Sequence, residues 1–512
     1  MTAPAMRIEP LPDLAQLLAG IADAPRLAIT GIATDSRRVE RGNVFLAYQG
    51  ATSHGLKFLD QVVAAGAAAI VWDGATAAAG LARQSPLPTI AVQGLTHRLG
   101  ELANRWFDEP SRHVRVAGVT GTNGKTTVAW LIARCMQYLE RQCGYIGTLS
   151  AGLGTPGREP GLTTPACIDL HREIADLRWQ GGAYLALEVS SHALHQNRID
   201  GVRFESAVFT NLSRDHIDYH GDMQMYGETK AGFLLRRDVG HRIVNIDTAF
   251  GRELAERCAG DVTVVTTDES WDESWQAGTG SFVMLRPCEP DERGTTVTAT
   301  TSRGTSTFHL PLAGQFNVSN AALVLAQLLC WDVAIADATN ALSHATPPPG
   351  RMQRVLQGRG ELDPAVYIDY AHTPAGLEAV LQSLRLHCNG ELWCVFGCGG
   401  DRDRGKRRLM GEVVSRLADR AVVTNDNPRT EPPEEIIAAT LAGMDDNAIA
   451  IEDRAAAIAY AIRKASAADV VLIAGKGHEN HQLIGNRRLP FSDYDAARAC
   501  LEARRGPAAA GR

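Results

Sequence analysis

The chain has no apolar run near the roughly 18 residues that suggest a membrane-spanning helix. Residues 1–12 lack a basic start followed by an apolar core, so no signal peptide is expected. Its 10 cysteines contain no CxxC spacing and read as reduced, mostly buried thiols of a cytosolic protein. Cys394 and Cys398 flank a short turn, and the reading for them is packing rather than metal binding. There is no excess of positive charge. The net charge of -7 gives no general attraction to nucleic acid or anionic membrane, so anionic ligands must be held by local basic groups. No heptads or fixed-period repeats occur.

What is present is ordinary for a globular protein: 45% hydrophobic and 21% charged residues in 512 positions, enough for two to four domains. Three α/β blocks are expected. Residues 1–95 alternate short strands (43–47, 68–72) with Ala-rich helices such as 59–65. Residues 96–346 open with a helix at 96–107 and contain strands at 183–189, 206–210 and 242–246. Within this block the Thr-, Ser- and Val-rich region 279–312 alternates as antiparallel hairpins do. Pro347-Pro348-Pro349-Gly350 marks a linker. In residues 347–512, strands at 365–368, 391–396, 420–424, 448–451 and 469–474 alternate with helices, implying parallel βαβ units, and the tail 503–512 reads as frayed.

The most specific segment is Gly118-Val-Thr-Gly-Thr-Asn-Gly-Lys-Thr-Thr127. It follows the apolar run 114–117 and precedes a helix-like stretch at 128–139. Strand, glycine-rich turn and helix present backbone N–H groups to phosphate. Lys125 adds a point charge and Thr126 a hydroxyl for Mg2+. The plain phosphate-loop pattern wants glycine at 119, where this chain has Val119; its glycines fall at 118, 121 and 124.

Other polar clusters follow strands, where open α/β sheets bind ligands. Glu188 stands near the end of an apolar strand, as a Mg2+-holding acid would. His216 follows another strand in a charged segment. Lys230, from its neighbours alone, reads as a solvated helix lysine. Ser319 or Asn320 can cap a helix at 321–329, and Asn317 can meet a nucleotide base. Arg351, just past the linker, can reach back to phosphate or remain a surface arginine. In Asp426-Asn-Pro-Arg429, Pro428 sets a rigid turn whose Arg429 suits a carboxylate and whose Asp426 suits an ammonium. Arg402 offers a second carboxylate clamp and Glu479 a second ammonium partner.

Seven segments in order resemble the Mur ligase family. They are Thr120–Thr127, Glu188-Val-Ser-Ser-His192, Asn211-Leu-Ser-Arg-Asp-His216, Gly314-Gln-Phe-Asn-Val-Ser-Asn320, Gly350-Arg-Met352, Asp369-Tyr-Ala-His-Thr-Pro374 and Asp426-Asn-Pro-Arg429. The resemblance runs from about Thr34 to Tyr494. It implies a small N-terminal substrate domain (1–95), a central phosphate-loop ATPase domain with a parallel sheet plus hairpins (96–346), and a Rossmann-like C-terminal domain (347–512). It also implies an ATP-dependent, cytoplasmic, monomeric ligase of peptidoglycan precursor synthesis. Such an enzyme activates a UDP-linked D-glutamyl carboxylate as an acyl phosphate and joins it to an amine. Asp426–Arg429 points to the members that add meso-diaminopimelate, since lysine-adding members lack that arginine.

Carried over by position, Gly121, Thr122, Asn123, Gly124, Lys125, Thr126, Thr127, Asn317 and Arg351 bind ATP. Lys125, Glu188, His216 and Lys230 are catalytic; Thr126, Glu188, His216 and Lys230, as a carbamate, serve Mg2+. The residue before that lysine is Thr229 where the family usually has Ala. Thr34, Ser36, Ala51, Thr52 and Ser53 meet the uridine nucleotide, and Thr163, Thr164, Ser190, Gln196 and Arg198 the sugar–peptide part. Arg402, Asp426, Asn427, Pro428, Arg429, Gly475 and Glu479 hold diaminopimelate. The competing readings are a lysine-adding ligase, a folylpolyglutamate-synthetase-like ligase and a non-catalytic nucleotide-binding scaffold. A GTPase switch would want Asn-Lys-x-Asp after a strand, which is absent.

Overall fold

The five residues Asn43–Ala47 are all buried, which happens only when both faces of a strand are covered. In this computed structural model, which describes residues 12–50, 53–154, 161–271, 281–291, 294–355, 363–445 and 448–505, that strand lies inside a parallel four-stranded sheet. Its neighbours are Gly31–Ala33 on one side and Ala69–Asp73 on the other, with Thr89–Val92 outermost. Alternate side chains go to opposite faces. Val44, Leu46 and Val71 pack towards helix Leu99–Phe107, whose Leu99, Leu102, Ala103 and Trp106 recur at helical spacing. Phe45, Ala47 and Ile70 pack with Leu56 and Val62.

The chain divides into two compact units: Met1–Thr120, Glu140–Ala207 and Thr229–His241 in the first, and Gly121–Leu139, Val208–Glu228 and Arg242–Arg512 in the second. Besides the four-stranded sheet, the first unit holds strand Tyr184–Glu188, parallel to both Arg115–Thr120 and Cys143–Ile146. Ala151–Leu153 closes that edge antiparallel. Cys143–Ile146 and Ala151–Leu153 are strands that the residue pattern did not announce, because both are short and carry a glycine. Register pairs Val119 with Glu188, so this acid stands level with the start of the phosphate loop.

Gly118 has a packing task rather than a ligand task. A Cβ there would come 2.6 Å from Phe233 Cζ and 2.7 Å from Phe204 Cε1, two rings that meet edge-on with centroids 4.8 Å apart.

In the second unit, Asp261–Thr266 runs parallel to Ser281–Asp291, which then pairs antiparallel with Gly294–Thr301 and that with Gly304–Leu310. These are the expected hairpins. Helix Gln315–Cys330 is buried along nearly its whole length, as its apolar surround requires. It begins well before the expected start at 321, at the turn set by Gly314, so Ser319 and Asn320 lie inside the helix and cap nothing.

The C-terminal sheet has five parallel strands in the order Ala365–Asp369, Val470–Ala474, Leu392–Phe396, Arg420–Val423, Ile449–Ala450, with Gln353–Arg354 antiparallel on the first edge. One face (Tyr367, Cys394, Phe396, Leu472) packs on Leu377, Leu381, Met410 and Val414. The other (Ile368, Trp393, Val395, Ile473) packs on Ile458, Ala461, Ile462 and Leu501. Cys394 and Cys398 belong to the first core. Of the tail expected to be frayed, residues 503–505 continue helix Asp493–Arg505, and residues 506–512 lie outside the described residues. Among the described residues no helix is long and apolar enough to cross a membrane.

Gly118→Ala is expected to destabilise the protein by about 1–3 kcal/mol through overpacking, read as a lower denaturation midpoint. An unchanged midpoint would show that Phe204 and Phe233 repack freely.

Candidate functional site

In the second unit, Gly121 (φ 146) and Gly124 (φ 85) give the phosphate loop backbone angles that side chains rarely adopt. A Cβ at Gly121 would run into Thr210 Oγ1, and one at Gly124 would come 2.5 Å from Asn320 Oδ1. The loop is laced to the segment after strand Ser206–Phe209. Thr122 N donates to Asn211 O at 2.9 Å, Asn123 N to Asn211 Oδ1 at 3.0 Å, and Thr210 Oγ1 to Asn123 O at 2.6 Å. Helix Lys125–Tyr138 starts at Lys125, earlier than the expected 128, because left-handed Gly124 ends the turn. Lys125 Nζ folds over the loop and donates to the carbonyls of Gly121 (2.9 Å) and Thr122 (2.8 Å).

Arg351 reaches this loop: its Nη2 donates to Thr126 Oγ1 at 3.3 Å, and its guanidinium lies 4.4 Å from the Tyr370 ring centroid. Behind it, the buried Asp369 accepts from Met352 N and Ala371 N, both at 2.7 Å, and so fixes the two turns that carry Arg351 and Tyr370. Burial pushes the Asp369 acid up, and the nearby Arg351 charge opposes that rise. A cavity of about 220 Å³ is lined by Asn123, Gly124, Asn317, Asn320, Arg351 and His372, among others. Asn317 Nδ2 donates to Ala313 O at 2.7 Å, and Asn320 Nδ2 to Asn317 Oδ1 at 3.1 Å. The even reading of Arg351 thus resolves away from a surface arginine. His216 stands apart from this cavity. It has φ 53, is half exposed, sits 3.5 Å from Asp215 and turns its ring edge to Tyr226, whose hydroxyl lies 3.2 Å from Thr122 Oγ1.

In the first unit, Glu188 is fully buried rather than turned to solvent. Its carboxylate accepts from Tyr145 OH, from Thr148 N at 2.9 Å and from Thr148 Oγ1 at 3.2 Å. A network continues from it. Thr148 Oγ1 meets Thr163 Oγ1 at 3.2 Å, and Thr164 Oγ1 donates to Glu188 O at 2.8 Å. Ser190 N donates to Thr164 Oγ1 at 3.1 Å. Arg198 donates to Thr164 O at 3.1 Å and to Gln196 Oε1 at 3.0 Å. Five of the expected substrate contacts are therefore gathered next to Glu188. Thr34 bonds Tyr48, which feels the charge of Arg198. Ser36 instead spends its hydroxyl inward on Gln61 Oε1 at 3.0 Å. Ser53 accepts from Gly50 N through its carbonyl, while Ala51 and Thr52 lie outside the described residues. Lys230 is 1% exposed, which overturns its reading as a solvated helix lysine. Tyr226, Phe233 and Leu234, three or four residues away on the same helix, are buried too, but an apolar spacing alone does not decide whether a lysine is covered.

In the C-terminal sheet, Arg429 adopts φ 51 and donates from Nη1 to Gly400 O at 2.7 Å. Asn427 Nδ2 donates to Glu479 Oε2 at 2.8 Å. Lys476, fully buried and not singled out by sequence, donates to Glu479 Oε2 at 2.9 Å and to Asn427 Oδ1 at 3.1 Å. Burial works against the Glu479 charge, but Lys476 and Asn427 outweigh it and hold the acid below its ordinary range. Gly475 (φ 116) leaves room for Asp426, whose Oδ2 would stand 2.5 Å from a Cβ there. Arg402 is exposed, with its Nη1 3.5 Å from Asp401 O. Its loop is tied down by Glu431, which accepts from Asp401 N at 2.5 Å and Arg407 Nη2 at 2.8 Å.

Residues 28–107 match the Mur ligase family, catalytic domain; 119–328 the Mur ligase middle domain; and 350–477 the Mur ligase, glutamate ligase domain. UDP-N-acetylmuramoyl-L-alanyl-D-glutamate–2,6-diaminopimelate ligase of Coxiella burnetii is 41% identical over 496 residues, 95% of this chain and 99% of that protein. The chain belongs to the Mur ligase family. The ligase of the same name from Alkalilimnicola ehrlichii is 43% identical over 93% of this chain and 95% of its own length. A solved Mur ligase structure with that name superposes with a TM-score of 0.68 at 31% identity, covering 97% and 99% of the two chains. MurF from Acinetobacter baumannii, at 22% identity and a TM-score of 0.64 over 90% and 94%, shares the Mur ligase fold. The α/β architecture with N-terminal, middle and C-terminal Mur ligase domains follows from these matches.

The charge of Glu431 is held by Arg407, which sets its acid at about 2. A carboxyl lowered by folding stabilises above its ordinary range and loses that contribution as pH falls through its folded value. Melting temperature is therefore expected to fall between about pH 5 and pH 2 with a slope that Glu431→Gln reduces. Equal slopes for the two proteins would remove this role.

Proposed function

We propose that this Mur ligase adds meso-2,6-diaminopimelate to UDP-N-acetylmuramoyl-L-alanyl-D-glutamate in an ATP-dependent reaction of cytoplasmic peptidoglycan precursor synthesis. The observation that carries the reading is the identity of 41–43% over nearly full length with ligases of that name. The cradle at Asp426–Arg429 supports the amine. Diaminopimelate carries one carboxylate more than lysine, and a carboxylate leaving water needs a cation at fixed geometry. Arg429, locked by Gly400 O, supplies it. Domain limits of 1–95, 96–346 and 347–512, and a monomeric state without nucleic-acid partners, belong to the same reading.

A carboxylate becomes a good acyl donor only after one of its oxygens becomes part of a leaving group. The substrate's glutamyl carboxylate attacks the γ-phosphorus of ATP, and ADP leaves. The free amine then attacks the acyl carbon, and inorganic phosphate leaves. Phosphoryl transfer of this kind depends on positioning and charge neutralisation. The N–H groups of 121–127 cradle the phosphates, Lys125 exchanges its loop carbonyls for phosphate oxygens, and Arg351, held at Thr126, adds a second cation. Asn317, held by Asn320, meets the base in the cavity they line. Thr163, Thr164, Ser190, Gln196 and Arg198 position the sugar–peptide part, and Thr34, Ser36 and the 51–53 loop the uridine nucleotide.

Mg2+ is the cation of Mur ligases. The residues carried over from the family for Mg2+ are, in the second unit, Thr126 with a hydroxyl and His216 with an imidazole and, in the first, Glu188 with a buried carboxylate and Lys230, whose buried amine would serve as a carbamate. Among the described residues no group of three His, Cys, Asp or Glu forms a metal cage. When bound, Mg2+ would neutralise charge on the transferred phosphoryl group.

Phosphate release should require ATP, Mg2+, the UDP-linked dipeptide and diaminopimelate, and L-lysine should not substitute. Release with lysine alone points to a lysine-adding enzyme, and release with neither amine to a scaffold. Arg429→Ala should lower kcat/KM for diaminopimelate by at least a hundredfold, matching the roughly 3–5 kcal/mol cost of an unpartnered buried charge, while ATP binding persists. Lys230→Ala should lose activity and regain part of it with a short-chain carboxylate such as formate; no recovery would argue against the carbamate.

A further inference from the structure

Beneath the loops assigned to the amine lies a guanidinium that none of the roles above uses. Arg454 opens helix Arg454–Lys464 behind its cap Asp453, and its side chain is 0% exposed, as is that of Asp493. The two meet side-on, Nε to Oδ1 at 2.7 Å and Nη2 to Oδ2 at 2.8 Å. The remaining donors go to backbone: Nη1 to Asn425 O at 3.1 Å and Nη2 to Ala474 O at 2.9 Å. Those carbonyls immediately precede Asp426 and Gly475, the first residues of the two amine-binding loops. In the sheet, strand Leu392–Phe396 separates Arg420–Val423 from Val470–Ala474, so no ladder hydrogen bond joins the latter two. The guanidinium spans that gap. Gly397, between them, has no room for a side chain, since a Cβ would run into Thr424 O. Burial raises the Asp426 acid, and the charges of Arg454 and Lys476 oppose the rise.

We propose that Arg454, oriented by Asp493, is a positioning residue for the amine substrate, fixing the separation of Asp426–Arg429 from Gly475–Glu479 and thereby the affinity for a diamino dicarboxylic acid. The inference rests on placing the amine at those loops. Asp493 starts helix Asp493–Arg505, so the last helix of the chain is coupled to amine recognition through one ion pair.

The test compares full-length Arg454→Lys and Asp493→Asn with Arg429→Ala, measuring KM for each of the three substrates together with thermal melting. Lysine keeps a charge for Asp493 but cannot reach both carbonyls. Arg454→Lys should raise KM for diaminopimelate at least tenfold, leaving KM for ATP and the UDP-linked dipeptide within twofold. Asp493→Asn should raise only the same KM, by a smaller factor. If Arg454→Lys yields no folded protein, the split in Asp493→Asn decides alone. An unchanged diaminopimelate KM, or three KM values rising together, overturns the proposal. An effect of Arg429→Ala on diaminopimelate kcat/KM without one of Arg454→Lys removes only this inference; no effect of Arg429→Ala removes the placement of the amine itself.

Discussion

Parallel strand pairing is the constraint on which the chemistry depends. Parallel strands deliver all their carboxyl ends to one edge, and loops leaving that edge can converge without further design. In the C-terminal sheet this brings Asp369, Gly397, Asp426 and Gly475 to one rim. In the first unit the same rule sets Glu188 level with Val119, near the carboxyl end of strand Arg115–Thr120. The strands pay for such an arrangement by being buried on both faces, which explains why Leu392–Phe396 and Val470–Ala474 are continuous apolar runs and not alternating ones.

A second constraint follows. Loops that bind anions and zwitterions need charge, yet their roots lie in an apolar core. A buried charge is tolerable only when paired and hydrogen-bonded. The chain meets this with cations that are committed before substrate arrives: Arg351 on Thr126 and Tyr370, Lys476 on Glu479 and Asn427, Arg454 on Asp493. Each also fixes a turn, so the electrostatic and geometric requirements are satisfied by the same side chains. Preorganisation of this kind is what lets a site act without rearranging at the moment of reaction.

Much of this was legible in residue order. The phosphate loop, the hairpins, the alternation of the C-terminal strands and the rigid turn at Pro428 are local signals, set by spacing and by residues with restricted backbones. The jobs of individual glycines were not. Gly118 looked like part of a phosphate motif, but it answers to Phe204 and Phe233, partners far away in sequence. Lys230 and Lys476 were equally opaque, because a lysine's burial depends on what packs over it. Asn320 looked like a cap because the apolar run starts after it, while the helix starts at Gly314, where the backbone turns. Arg454 and Asp493 lie 39 residues apart, and nothing local announces their pairing.

A fold kept down to 22% identity cannot itself select the amine. Selection must come from side chains at the strand ends, against a common scaffold. The observed geometry divides that task. Arg429 takes its direction from Gly400 O, while Glu479 and Asn427 take theirs from Lys476. These fixings lie on different loops, so the carboxylate and ammonium contacts proposed for them would hold only while the loops keep their distance. A change of a few tenths of an ångström between them would weaken both contacts at once, since hydrogen-bond energy falls steeply with misalignment. In the proposed reading, discrimination between two amines differing by one carboxylate therefore depends as much on the rigidity beneath the loops as on Arg429.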